Sequence, residues 1–210
     1  MISVLTKKQL AITLSRLATF AEPDMRREQY TTPSEIAADL LWIAKMAGHI
    51  ESKNILDLGA GTGILGIGAA LLDARAVTCI EIDGNALEQL QKNVDALERE
   101  GLPVAEKIAI IGGPLGKEDM RAETAIMNPP FGTKTVHADR DFLTYALTHA
   151  RHTYSIHKTS TIAYLKEHAR KLGATLLGEK RFTMDLPRTM THHRKTHEKI
   201  DVTLLVFEAA

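Results

Sequence analysis

The feature that most constrains this chain is Asn54-Ile55-Leu56-Asp57-Leu58, followed at once by Gly59-Ala60-Gly61-Thr62-Gly63-Ile64-Leu65-Gly66. The first five residues read as a buried parallel strand, and the run to about Leu72 reads as a helix. Strand, glycine turn and helix in that order begin a doubly wound α/β sheet. Glycine reaches positive φ without strain and lets a ligand come close to the main chain. A second strand, Ala76 to Ile82, ends in Glu81-Ile82-Asp83. A carboxylate about twenty residues beyond such a turn can accept both hydroxyls of a ribose, which gives Glu81 that role. Asp83 reads as the cap of the next helix, about Ala86 to Arg99.

Two ligands compete for the turn. Gly61-x-Gly63-x-x-Gly66 matches the dinucleotide fingerprint, so a nicotinamide cofactor is not dismissed on glycines alone. Asp57 argues against it: a carboxylate just before the turn repels a pyrophosphate and suits the ammonium of an amino-acid tail. S-adenosylmethionine has that ammonium, has a ribose for Glu81 and lacks phosphates. Asp-x-Gly-x-Gly-x-Gly with a later strand-end acid is the methyltransferase form of the turn.

Further along, the apolar run Thr124 to Met127 stops at Asn128-Pro129-Pro130-Phe131-Gly132. Proline lacks an N–H and disfavours helix in the residue before it, so a buried strand ends near Met127 with Asn128 at its tip. The Asn128 amide oxygen and the Pro129 carbonyl can accept two N–H bonds, and Phe131 can stack on a flat ring. That set suits a base with an amino group. A strand-ending turn with a core phenylalanine is the plainer alternative.

With 210 residues, 44% of them apolar and 25% charged, the chain suits one soluble domain with small additions. Equal numbers of basic and acidic residues exclude an indiscriminate electrostatic trap for nucleic acid. The lone Cys79 excludes an internal disulfide and fits a reducing compartment, as a small buried residue. No apolar run reaches membrane-spanning length and the start has no signal-peptide pattern, so a cytoplasmic protein without membrane contact is expected.

Thr6 reads as the cap of an amphipathic helix over residues 7 to 19. Thr32, Pro33 and Glu35 read as the capping box of a second helix ending near Ala47. Asp139 is expected to cap a helix to about Arg151, followed by a short strand, Thr153 to Ile156, with His157 and Lys158 at its end, on the crevice edge. A structural histidine bonded to main chain is the favoured reading of His157, and contact with the target the other. A helix from about Thr161 to Leu172 and two antiparallel strands, Thr175 to Met184 and Lys199 to Phe207, complete the chain. Between those strands lies a basic loop, Asp185 to His197; from Lys134 to Lys199 thirteen Lys and Arg face six Asp and Glu. Phosphate contact is one reading of this bias and an ordinary solvated face the other. The histidines of the loop lack a completing cysteine or carboxylate, so no metal is expected.

Together NILDLGAGTGIL, IEID and IMNPPFG, with REQYTTP, HADRDFLTYAL, YSIHK and DLPRTMTHHRK, resemble the small-subunit ribosomal RNA adenine-N6 methyltransferases of archaea and eukaryotes, the methyltransferase-like five family. The resemblance runs from about residue 7 to 207. It implies a Rossmann-like class I methyltransferase: a seven-stranded, mostly parallel sheet, helices on both faces and an antiparallel last strand. Residues 1–33 would form an N-terminal helix and a segment covering the cofactor, and 34–210 the methyltransferase domain. The activity implied is transfer of a methyl group from S-adenosylmethionine to an adenine N6 near the 3′ end of small-subunit rRNA. A small zinc-finger activator protein is implied, at least in eukaryotes. By position, Gln29, Tyr30, Thr32, Asp57, Gly59, Gly61, Thr62, Ile64, Glu81 and Asn128 would contact the cofactor. Asn128, Pro129, Pro130 and Phe131 would carry catalysis. Lys134, His157, Lys158, Arg188, His193, Arg194 and Lys195 are the candidate RNA contacts. One departure stands out: Gly113 occupies the place where the family commonly has an Asp near the cofactor adenine. Methylation of another amino nitrogen, a protein glutamine amide or guanine N2, and a non-catalytic RNA-binding or assembly role are the alternatives.

Overall fold

The computed structural model describes residues 5–21, 23–24, 28–116, 120–131, 138–187 and 197–210. Seven strands form one sheet: β1 (Asn54–Leu58), β2 (Ala76–Glu81), β3 (Ile108–Gly112), β4 (Ala122–Met127), β5 (Ala150–Lys158), β6 (Thr175–Pro187) and β7 (His197–Glu208). Their spatial order is β3-β2-β1-β4-β5-β7-β6. The first five are parallel, and β7 runs antiparallel to both β5 and β6. The chain winds outward from β1 to β3, then returns to lay β4 on the other side of β1. That reversal opens a crevice beyond the carboxyl ends of β1 and β4, where open α/β sheets bind ligands. The register there is direct: Leu58 pairs with Met127, so Gly59 and Asn128 leave the sheet side by side.

Helices cover both faces. α1 (Lys7–Leu14), α2 (Ser34–Met46), α3 (Ile64–Leu71) and α4 (Gly84–Arg99) pack into one apolar cluster, and α5 (Ala138–His149) and α6 (Ile162–Lys171) into the other. Asp83 caps α4 by accepting from the Ala86 N–H at 2.9 Å. Among the described residues no helix is long and apolar enough to cross a membrane.

Several local expectations change. α1 ends at Leu14 rather than near residue 19, because the chain beyond it finds a side-chain partner for its main chain. Asn93 of α4 accepts from the Ala18 N–H at 3.0 Å and donates to the Ala18 and Thr62 carbonyls at 2.9 Å each. The Thr32 capping box does not form: Pro33 stands at the N-cap of α2 with no side-chain bond. The capping box of this protein is Thr6 with Gln9, at the start of α1. Asp139 lies inside the first turn of α5, which stops at His149 and hands over at once to β5. β5 has nine residues, not four, because Ala150 and His152 already pair with β4, and the buried His157 and then Lys158 stay paired with β7.

Candidate active site

A cavity of about 540 Å³ opens at the crevice, a size suited to a small-molecule cofactor. Gln29, Tyr30, Thr32, Asp57, Gly59, Gly61, Thr62, Ile64, Glu81 and Asn128 all line it. Gly59, Gly61 and Gly63 hold φ of 68°, 55° and 92°, so the turn needs glycine on conformational grounds. Space tells the same story: a Cβ on Gly59 would lie 2.9 Å from the Phe142 ring, and one on Gly61 2.9 Å from the Phe20 ring.

Two carboxylates brace the turn. Glu81 accepts from the Gly61 N–H at 2.8 Å through Oε2, and from the Ile82 and Asp83 N–H groups through Oε1. Asp57 Oδ2 accepts from the Gly66 N–H at 2.7 Å. Asp57 is buried, and desolvation pushes its pKa up to about 7; Glu81 nearby pushes in the same direction, and the Gly66 N–H opposes both. A buried carboxylate with that affinity for a proton is suited to receive a cation instead.

Glu28 and Asp141 join Asp57 and Glu81 in the lining, and among the described residues no Lys, Arg or His does. The four acids repel the pyrophosphate of a nicotinamide cofactor. They fit S-adenosylmethionine, whose sulfonium and ammonium outnumber its one carboxylate. The far end of the cavity is formed by Ile82, Gly113, Pro114 and Leu115. Gly113 leaves this end apolar among the described residues, so a purine there is held by packing; Glu118 and Asp119 lie outside them.

At the mouth, the Asn128 Nδ2 donates to the Thr32 hydroxyl at 2.9 Å. Its Oδ1 is buried and has no hydrogen-bond partner among the described residues. Thr32 is thus spent on Asn128, which is why it does not cap α2. Pro130 lines the cavity, whereas Pro129 is buried and does not.

Phe131 departs from the expectation of a free ring. It is 6% exposed, belongs to the apolar core and stacks on Tyr30, with centroids 6.1 Å apart and planes 23° apart. Tyr30, not Phe131, faces the cavity. His157 is corrected outright as an RNA contact: it is 0% exposed, its Nε2 lies 2.5 Å from Ser155 Oγ, and burial depresses its pKa to about 3. Lys158 is half-buried at the carboxyl end of β5. Lys134, Arg188, His193, Arg194 and Lys195 lie outside the described residues. Among those described, no group of three or more His, Cys, Asp or Glu is placed to hold a metal.

Sequence reasoning missed Phe20, Glu28, Asp141 and Tyr145 as lining residues. For α5 a signal existed: Ala138, Asp141, Phe142 and Tyr145 recur at three- and four-residue steps, one helical face. The first turns of that face look into the crevice.

Comparison with known proteins agrees with this geometry. Residues 35–157 match the model of the methyltransferase small domain. The chain is 36% identical over 206 residues to the rRNA N(6)-adenosine-methyltransferase METTL5 of Danio rerio, covering 95% of this chain and 97% of that one. It is 35% identical over 196 residues to the Drosophila melanogaster protein of the same name, covering 90% of each. The chain belongs to the methyltransferase-like five family. Among solved structures, a candidate RNA methyltransferase of Pyrococcus horikoshii superposes over 100% of both chains with a TM-score of 0.88 and 36% identity. A Thermoplasma acidophilum protein follows at 0.75 and 25%, covering 97% of each. The protein is a class I methyltransferase, and S-adenosylmethionine is its methyl donor.

Proposed function

We propose that this methyltransferase acts on the N6 amino group of an unpaired adenine in RNA, in small-subunit ribosomal RNA by the family resemblance. The observation that carries the reading is the Asn128 amide. Its nitrogen is fixed by Thr32, and its oxygen is a buried acceptor with no donor among the described residues, at the mouth of an acidic cavity. An amino group that has both N–H bonds to give is the complement of such an acceptor. The relatives named above methylate adenosine in rRNA, and their match over nearly the full chain supports the same base here.

Bound S-adenosylmethionine supplies an electrophilic methyl. The chain's own residues do the rest. Asp57, Glu81 and the glycine turn would hold the donor's polar ends. The base leaves its stack, since N6 is blocked inside a helix. Asn128 Oδ1 and the Pro129 carbonyl accept its two N–H bonds, which turns the nitrogen lone pair out of conjugation and towards the methyl. The N–C bond forms as the methyl–sulfur bond breaks, the sulfonium leaves as a neutral thioether, and the proton of the amino group goes to water after transfer. Positioning and charge complementarity supply the rate, without a strong base before transfer. Tyr30 covers Phe131 in this substrate-free arrangement, so a base that stacks on Phe131 displaces it.

Lys134, Lys158, Arg188, His193, Arg194 and Lys195 are proposed phosphate contacts, and their test is the salt dependence of RNA binding. A small zinc-finger activator rests on the family resemblance alone, and a cytoplasmic location on the sequence's lack of a membrane-length run or signal pattern. The deciding test of the reaction is Asn128→Ala. It is expected to abolish methylation, with N6-methyladenosine read by nucleoside mass analysis, while S-adenosylmethionine binding changes only a few-fold. Equal turnover by the variant, or methyl label on an amino acid instead of a nucleoside, overturns the reading.

A further inference from the structure

A half-exposed aromatic ring stands beside the crevice, on the α5/α6 side, and the reaction as described makes no use of it. Tyr164 is 49% exposed in the first turn of α6. α6 follows β5 and α5 follows β4, so both helices start from the edge where Asn128 leaves the sheet. Tyr164 has neighbours on two sides. Arg140, in the first turn of α5, is close enough that Asp141 first and Tyr164 after it raise the guanidinium pKa. The His168 ring lies parallel to it, with centroids 6.4 Å and planes 16° apart. His168 is itself fixed by the Thr144 hydroxyl, 2.8 Å from its Nε2.

The cluster is continuous with the cavity. Arg140 also donates through Nε and Nη2 to Asp141 Oδ1, at 3.0 and 2.8 Å, and Asp141 lines the cavity wall. Asp141, its side chain 65% exposed, thus links the cavity wall to Arg140, 35% exposed, beside the exposed ring. Asp57 lies buried inside, where a cationic methyl donor belongs, and Arg140 with its aromatic neighbour lies at the rim. An anionic, base-bearing strand matches the outer pair: the guanidinium suits a phosphate and the ring suits a base.

We infer that Tyr164 and Arg140 form a stacking and phosphate subsite for an unpaired RNA nucleotide flanking the target adenine. The inference rests on the RNA reading above and extends it by assigning two residues that contact substrate away from the reacting base. A ring with neighbours on two sides loses little entropy when a base stacks on it. The site is sequence-tolerant, because every base offers a π-face. It positions the strand so that the next nucleotide enters the crevice at Asn128.

The test uses the full chain and a 5′-labelled single-stranded RNA of about ten nucleotides containing one adenine, a length within single-strand site sizes. Binding is followed by fluorescence anisotropy without cofactor, and methyl transfer is followed separately. Tyr164→Ala is expected to raise the RNA Kd about tenfold, with thermal melting and S-adenosylmethionine binding unchanged. Tyr164→Phe is expected to bind like the parent, since the ring is kept. Arg140→Gln is expected to weaken binding and to flatten its salt dependence by about one ion. An unchanged Kd in Tyr164→Ala, or an equal loss in Tyr164→Phe, overturns the subsite. If the parent binds RNA and Tyr164→Ala weakens it but no N6-methyladenosine forms, the subsite stands and the adenine reading fails. A parent that does not bind single-stranded RNA overturns both.

Discussion

Asp57 sits at the end of a central strand with no counter-charge beside it, and its burial raises its pKa to about 7. The donor's ammonium supplies that charge and favours the ionised carboxylate. Binding near pH 6.5 is therefore expected to release a fraction of a proton, and affinity to rise with pH up to about 7 and level off above it. Calorimetry in two buffers of different ionisation enthalpy measures the proton count directly, and zero release would rule out this role. Phe131 makes the opposite point at the same scale. A ring 6% exposed and packed on Tyr30 is structural before it is catalytic. Phe131→Ala is thus expected to cost about 3–5 kcal/mol of unfolding free energy, read by urea denaturation. The lining by Asp57, Glu81 and the glycines was legible in the sequence because spacing alone places them at one sheet edge. The cover over Phe131 was not, since it depends on a residue a hundred positions away.

The elements tell a similar story. Strands β1, β2 and β4 were legible because they are apolar runs stopped by glycine, acid or proline, and a central parallel strand has little freedom to be anything else. β5 is longer than its apolar pattern suggests because Ala150 to His152 read as the end of the preceding helix, and His157 reads as a polar strand end until the fold buries it. Thr32 was misread for a related reason: a hydroxyl before a proline has the local chemistry of a helix cap, and only the fold brings Asn128 to it. This separates two outcomes for Thr32→Val. A lost cap would cost about 1 kcal/mol whatever stands at position 128. A lost partner for Asn128 Nδ2 costs about 1–3 kcal/mol only while Asn128 is present. The cost is therefore expected to shrink in an Asn128→Ala background, a coupling that a double-mutant cycle of chemical denaturation resolves. Additive costs would return Thr32 to the cap.

Two buried groups of opposite habit set the molecule's response to acid. Asp57 has a folded pKa of about 7, above its ordinary 3.8, so the native chain binds more protons there than the unfolded one. Its contribution is full below about pH 4 and is lost as pH rises through 7. His157 has a folded pKa of about 3, below its ordinary 6.5. Its contribution is present above pH 6.5 and is lost as pH falls towards 3. Between roughly pH 4 and 6.5 the two slopes oppose each other, so the empty enzyme owes part of its acid tolerance to a strained carboxylate in its own active site. Asp57→Asn removes one side of that balance. The variant is expected to lose stability on acidification from pH 6.5 more steeply than the parent, by up to about 1.4 kcal/mol per pH unit. His157→Gln is expected to tilt the other way and gain relative to the parent as pH falls. Urea midpoints between pH 4.5 and 7 measure both slopes, and a variant that runs parallel to the parent would show that the group it lacks titrates alike in the folded and unfolded chain. Bound donor keeps Asp57 ionised, so the stabilisation it confers on the parent grows with pH over the same interval, and in Asp57→Asn that growth is absent.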